Sequence, residues 1–261
     1  MINYGYQNEK DFILLFNDQC YLDLDKNSRA FINDLFDEEI DSNVKLIAWK
    51  NKMNQKTDIF IKYKNHVKGI SLKCGNSNSI HCEQVQEFRR YLEKIGIKKN
   101  IINKYLSYHY GYKKDENGNN IFSELLSSEE YKKFYQRELD IFNKEINKTK
   151  IIVSMVDRFI IRGRNSDYDI DALICGTIDD YVWIKKYELY DLILSKRCLE
   201  YTSPHIACLT IGPKKRNLKR DSKNFKDRYL ICVRWNFIRE SIIDFKNNLK
   251  TRHDEVWFSA P

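Results

Sequence analysis

Three side chains in the N-terminal part of the chain, Asp58, Lys73 and Glu83, have types and spacing suited to hydrolytic chemistry. Side chains alternate between the two faces of a strand, so in the run Asp58 to Tyr63, Asp58 and Phe60 share a face. In the run Gly69 to Cys74, Ser71 and Lys73 share a face opposite Ile70 and Leu72. A hairpin of these two runs brings Asp58 and Lys73 to one side and fills the other with apolar residues. Glu83 is expected in the first turn of the next helix, on the side away from Val85, Phe88 and Leu92, where the core does not claim it. A carboxylate on one strand, a lysine on its neighbour and a second carboxylate nearby make a site for Mg2+, a hard cation that takes oxygen ligands and keeps several waters.

The elements that must position these groups follow from hydrophobic spacing. Asn27 to Ile40 reads as an acidic amphipathic helix with Phe31, Leu35 and Phe36 at helical spacing. Lys64-Asn65-His66 is the polar turn between the two strands. The turn-rich stretch Gly75 to Ser79 precedes a helix that carries Val85, Phe88, Leu92 and Ile95 and ends at Gly96. Lys113 to Asn120 is a polar loop. Ser127 to Glu130 is a capping-box signature opening a helix with Tyr131, Phe134, Tyr135, Leu139 and Phe142. Ile151 to Ile161 fits helix or strand equally. Ile206 to Ile211 and Tyr229 to Trp235 read as paired strands.

Between those last two strands lies most of the excess charge. The chain of 261 residues has 45 Lys and Arg against 37 Asp and Glu, a net +8. Lys214 to Arg228 alone holds eight basic residues (Lys214, Lys215, Arg216, Lys219, Arg220, Lys223, Lys226, Arg228) against Asp221 and Asp227. A clustered basic loop is either solvated surface or a contact to nucleic-acid phosphates, where it releases counterions. With 42% hydrophobic and 31% charged residues, and only 9 Gly and 3 Pro, the composition excludes a collagen-like, linker-dominated or globally disordered chain. The absence of an apolar run of bilayer-spanning length, and of a basic start followed by an apolar run, points to the cytoplasm. The seven cysteines contain no C-x-x-C pair and are expected to be reduced thiols.

Thr57-Asp58 followed by Ser71-Leu72-Lys73 resembles the PD-(D/E)XK nuclease superfamily, in which a strand Asp, an acidic residue, a spacer and a Lys hold metal and activate water. Thr57 replaces the proline and Ser71 stands where the acidic residue is expected. In this respect the sequence looks like the type II restriction endonucleases that have Ser-x-Lys and supply the missing carboxylate from the following helix. The resemblance spans about residues 57 to 92. It implies an α/β restriction-endonuclease-like core of mixed sheet flanked by helices, at about 27–110 of a single domain, with further mixed structure from about 150 to the end. Asp58 and Glu83 would be metal ligands with the Leu72 carbonyl, and Lys73 would orient or activate the attacking water. Ser71 and His81 would support them, His81 mainly as a capping or hydrogen-bonding residue. The polar stretch Asn76 to His81 would lie at the scissile phosphate. Glu38 or Glu39 could add a ligand, with nothing in the sequence to select either. The implied reaction is Mg2+-dependent hydrolysis of double-stranded DNA, with Lys214, Lys215, Arg216, Lys219, Arg220 and Lys223 on the phosphates. Homodimerisation would match the two-fold symmetry of palindromic sites.

Two other classes compete. Ser166-Asp167-Tyr168-Asp169 resembles the metal motif of nucleotidyltransferases, with the two Asp alternating on a strand, but the Gly-Ser turn which that family carries upstream is absent. A noncatalytic nucleic-acid-binding module would keep the basic loop alone. Trp183, Trp235 and the many tyrosines read as core and surface anchors, some within reach of bases near the basic loop.

Overall fold

The computed structural model describes residues 4–53, 55–74, 79–164, 168–197, 201–216 and 223–258. In chain order the elements are α1 (Tyr4–Phe16), α2 (Lys26–Phe36), β1 (Ile47–Lys50), β2 (Ile59–Tyr63), β3 (His66–Lys73), β4 (Ser79–Gln84), α3 (Val85–Lys94), α4 (Lys99–Tyr110), β5 (Tyr112–Lys114) and β6 (Asn120–Leu125). They continue with α5 (Ser128–Ile146), α6 (Thr149–Val156), β7 (Ala172–Thr177), β8 (Asp180–Lys185), α7 (Lys186–Ser195), β9 (His205–Ile206), β10 (Leu209–Pro213), β11 (Leu230–Trp235) and α8 (Ile238–Phe258). The chain divides into two compact units, Met1–Ser77 with Asp157–Leu192 and Phe237–Pro261, and Asn78–Val156 with Ile193–Asn236. The expected core at 27–110 is therefore shared between them. Among the described residues, no helix is long and apolar enough to cross a membrane.

The first unit is built on a five-stranded mixed sheet of order β1-β2-β3-β7-β8, in which β3 and β7 are parallel and the other neighbours antiparallel. The expected hairpin is present, with Ile59 opposite Ile70 and Tyr63 opposite His66. Its turn is tighter than the polar run suggests, because Lys64 takes a left-handed conformation (φ 51°) and the second strand already begins at His66. In β2, Ile59, Ile61 and Tyr63 are buried while Phe60 and Lys62 are half-buried, the alternation of a strand with one covered face. The end of β3 behaves differently. Gly69, Ile70, Ser71 and Leu72 are buried in succession, as befits a strand with neighbours on both edges and cover on both faces. α1 packs against β1, β2 and β3, and α2 against β3. Phe12, Phe16, Phe31, Ile32 and Leu35 from these helices meet Ile59, Ile61, Ile70 and Tyr181 in the core. α2 stops at Phe36, short of the expected Ile40, because Asp37 turns into the left-handed region (φ 51°).

The second unit holds a four-stranded antiparallel sheet of order β4-β11-β10-β9 and the hairpin β5-β6. The capping box forms as its residues suggest: the Ser127 side chain accepts from the Glu130 N–H, and the Glu130 carboxylate accepts from the Ser127 N–H. The ambiguous run Ile151 to Ile161 is helical, first α6 and then a π-helical turn over Asp157–Ile161. The basic loop does join two paired strands, β10 and β11. Two expectations are corrected here. Glu83 is not in a helix; it lies in β4 opposite Ile231, and α3 starts at Val85. The cysteines are not all thiols, since Cys82 and Cys232 face each other across β4 and β11 and form a disulfide, with their Cα atoms 4.4 Å apart. That separation matches a pair of antiparallel residues that exchange no ladder hydrogen bonds. Cys20, Cys74, Cys175 and Cys208 are free, and Cys198 lies outside the described residues.

Candidate active site

Asp58 sits one residue before β2, and the backbone around it is paired on both sides. Its N–H donates to the Ile70 carbonyl at 2.9 Å, and its carbonyl accepts from the Asn51 N–H at 3.0 Å. Its side chain is fixed as well. One carboxylate oxygen, Oδ2, accepts from the Leu72 N–H at 2.6 Å and from the Ser71 hydroxyl at 3.1 Å. Among the described residues Oδ1 accepts no hydrogen bond, which leaves its lone pairs available. Ser71, at 2% exposure, thus stands at the position of the absent acidic residue as a donor that orients Asp58. Burial raises the Asp58 carboxyl above the usual range, while the Lys73 ammonium, the Leu72 N–H and the Ser71 hydroxyl oppose that shift. Lys73 Nζ donates to the Leu72 carbonyl at 3.2 Å. Asp58, Ser71, Leu72 and Lys73 therefore form one cluster at the end of the β2–β3 hairpin.

A further carboxylate acts on this cluster, and no motif in the sequence marks it. Glu9 on α1 lies close enough to Asp58 that its charge also raises the Asp58 carboxyl. Glu9 is four-fifths buried and ion-paired with Lys50 at 2.6 Å. The signal that could have found it is positional. Glu9, Phe12 and Phe16 follow the i, i+3, i+7 spacing of one helical stripe, and both phenylalanines are fully buried. A carboxylate on an apolar stripe points toward whatever the stripe packs against. Glu38 and Glu39, by contrast, are exposed in the loop after α2. Glu38 acts electrostatically on Lys64, at the turn end of β2 opposite to Asp58.

His81 and Glu83 belong to the second unit. They lie two residues apart on one face of β4, with His81 Nε2 3.6 Å from Glu83 Oε1. Glu83 is only 5% exposed, because a strand partner and not a helix surface surrounds it. The stretch 75–78 of the polar run, Asp167, Lys219 and Arg220 lie outside the described residues. Asp169 precedes β7 instead of lying in it. It is ion-paired with Arg162 at 2.7 Å and with Lys186, and these cations hold its carboxyl below the usual range.

In the basic loop Lys215 and Lys223 are exposed, and Lys214 pairs with Asp227 at 3.1 Å. Arg216 departs from the expectation of a phosphate contact. It is 9% exposed, its guanidinium donates to the Tyr108 and Leu126 carbonyls, and it lies 4.5 Å from the Tyr108 ring centroid. A guanidinium engaged in this way closes the end of α4 and is withdrawn from solvent.

No protein-family model matches the chain, and no curated protein matches it by sequence. Among solved structures it is similar to the restriction endonuclease MspI, in a crystal structure of that enzyme with its cognate DNA, over 88% of each chain with a TM-score of 0.53 and 13% sequence identity. The chain has a restriction-endonuclease-like fold. Within that fold, the end of the β2–β3 hairpin carries Asp58 and Lys73.

Proposed function

We propose that this protein is a Mg2+-dependent DNA endonuclease of the type II restriction class. The observation that carries the reading is the Asp58 carboxylate, anchored through one oxygen by Leu72 N–H and Ser71 beside Lys73, on a restriction-endonuclease-like fold. The donor chemistry fits the metal. Asp58 Oδ1 and the Leu72 carbonyl are hard oxygen donors. Mg2+ is suited to such a sparse set, because it keeps waters and shares phosphate oxygens. Glu9 is the carboxylate in the same unit that could add to Asp58, and Glu83 is the one carried over from the resemblance. When bound, the ion would neutralise phosphate charge and lower the pKa of its water.

The chain's own residues would do the rest. Ser71 and the Leu72 N–H would hold Asp58 in one rotamer, so that no reorganisation is needed as charge develops. The Lys73 ammonium would place a positive charge beside the reacting phosphate and orient the attacking water. Lys214, Lys215, Lys219, Arg220 and Lys223 would contact the DNA backbone and set register without reading sequence. A homodimer would let two such sites cut both strands of a palindrome. The test is incubation with plasmid DNA in Mg2+ and in chelator. Discrete, Mg2+-dependent fragments are expected, and binding without cleavage under any divalent ion would reduce the protein to a DNA-binding module.

A further inference from the structure

A row of aromatic rings runs through the second unit beside the basic segment. Phe122 on β6 meets Tyr112 with ring centroids 4.9 Å apart, Tyr112 stacks on Tyr110 at 5.3 Å, Tyr110 meets Tyr229 at 6.4 Å, and Tyr229 meets Phe225 at 5.8 Å. The Arg228 guanidinium lies 5.8 Å from the Tyr110 centroid. Local structure explains how the row forms. α4 ends at Gly111, whose backbone is left-handed (φ 72°) and where a Cβ would stand 2.4 Å from the Leu126 carbonyl oxygen, so only glycine fits. The chain therefore turns at once into β5, whose first residue, Tyr112, stacks on Tyr110, the last residue of α4. On the other flank, His109 Nε2 lies 3.0 Å from the Arg228 carbonyl and ties the residue before Tyr229 to α4.

The row reaches the surface at Phe122 and Tyr229. Phe122 is 71% exposed and Tyr229 42% exposed. A two-stranded hairpin has little stability of its own, and the contact of Phe122 with Tyr112 still leaves most of the phenylalanine ring in water. The surroundings indicate what would cover it. Lys223 and Lys226 are exposed on the segment that leads into Phe225 and Tyr229, and Arg228 lies between those two rings in sequence. Contact to a duplex backbone needs only the cations. An apolar protein partner is poorly served by lysines, which are depleted at interface cores. Rings that can receive a π-face, next to cations that can receive phosphates, are what unstacked bases of a DNA strand require.

We infer that Phe122 and Tyr229, supported by Tyr110 and Tyr112, form a stacking surface for DNA bases displaced from the duplex stack. The inference rests on the proposed action on DNA and adds the state of the substrate: a strand locally opened or unstacked at the enzyme. Arg228, Lys223 and Lys226 would hold its phosphates.

The experiment is fluorescence anisotropy of a labelled twelve-nucleotide oligo-dT on the full chain carrying Asp58→Asn, repeated over a range of salt. Phe122→Ala and Tyr229→Ala are each expected to weaken binding about tenfold at every salt concentration, leaving the slope of log affinity against log salt unchanged. Phe122→Trp should bind as tightly as the parent. Thermal melting of the variants checks that these exposed positions leave the fold intact. Parent-like affinity in the Phe122→Ala, Tyr229→Ala double variant would overturn the inference. So would a dimer, seen by sedimentation, that Phe122→Ala dissociates without changing DNA affinity, since the rings would then belong to a second copy of the chain. Failure of the two readings can be told apart. Ring-dependent binding in a protein that never cuts DNA removes the nuclease alone, whereas cleavage with ring-independent binding removes the stacking surface alone.

Discussion

Asp58 combines a fixed oxygen with an open one, and that division sets what its substitution should do. In Asp58→Asn the amide oxygen can still accept from Leu72 N–H and Ser71, so the hairpin end should keep its shape while the ligand charge is lost. Cleavage should fall by about 10²-fold or more, with DNA affinity nearly unchanged, measured by plasmid digestion and by binding in parallel. Glu9 and Glu83 compete for the role of second carboxylate. The charge of Glu9 is felt at Asp58, so Glu9→Gln should raise the Mg2+ concentration needed for half-maximal cleavage. Glu83→Gln is expected to abolish cleavage if the displaced carboxylate acts as the resemblance implies. Wild-type activity in Glu83→Gln together with a raised Mg2+ requirement in Glu9→Gln would assign the ligand to α1.

At the scale of elements, the loop between β10 and β11 separates into two kinds of basic residue. Lys215 and Lys223 are exposed. Their joint change to Ala should leave the melting temperature in place and flatten the salt dependence of log affinity by about 0.9 for each phosphate no longer neutralised. Arg216 should behave in the opposite way. Its removal takes a donor from the Leu126 carbonyl, leaves the Tyr108 carbonyl with the Gly111 N–H, and opens space against the Tyr108 ring. Arg216→Ala should therefore destabilise the fold by about 2–3 kcal/mol in urea denaturation, with little change in salt slope. An Arg216→Ala protein of normal stability and weakened, less salt-dependent DNA binding would return that residue to the interface. Charge on a loop predicts contact with phosphate only where packing has not already claimed it.

The whole molecule should lose stability in mild acid, and the buried His109 supplies one reason. His109 is 1% exposed, and burial pushes its imidazole down to about 4 from 6.5. The unfolded chain therefore binds a proton more readily between those values, and stability is fully present above about pH 6.5 and declines as pH falls toward 4. The loss reaches about 3 kcal/mol. Asp25, Asp34 and Asp169, whose carboxyls are held below their usual range, lose their contribution only below pH 3.8 and so act under this window. Asp58, raised by burial, has the opposite sign and offsets part of the effect. Urea midpoints from pH 7 to pH 4 should fall, and His109→Gln should flatten the decline. An unchanged slope in that variant would mean that other groups carry it.

Neighbouring residues settle one part of this structure among themselves. The hairpin of Asp58 to Lys73 needs only alternation and a two-residue turn, so the approach of Asp58 and Lys73 could be read from a single local stretch. The capping box at Ser127 and Glu130 and the basic loop between two strands are local in the same sense. The rest depends on partners distant in the chain. Glu83 lies in a strand because β11 supplies its hydrogen bonds, and Cys82 is linked to a residue 150 positions away. Arg216 is buried because Tyr108 and Leu126 present carbonyls to it, and the charge of Glu9 is felt at Asp58 because α1 packs on the sheet. Ser71 is a donor to Asp58 only because β3 is pinned between β2 and β7. Local pattern fixes which face a side chain takes on its own element; the partner that arrives at that face is chosen by the burial of the whole chain.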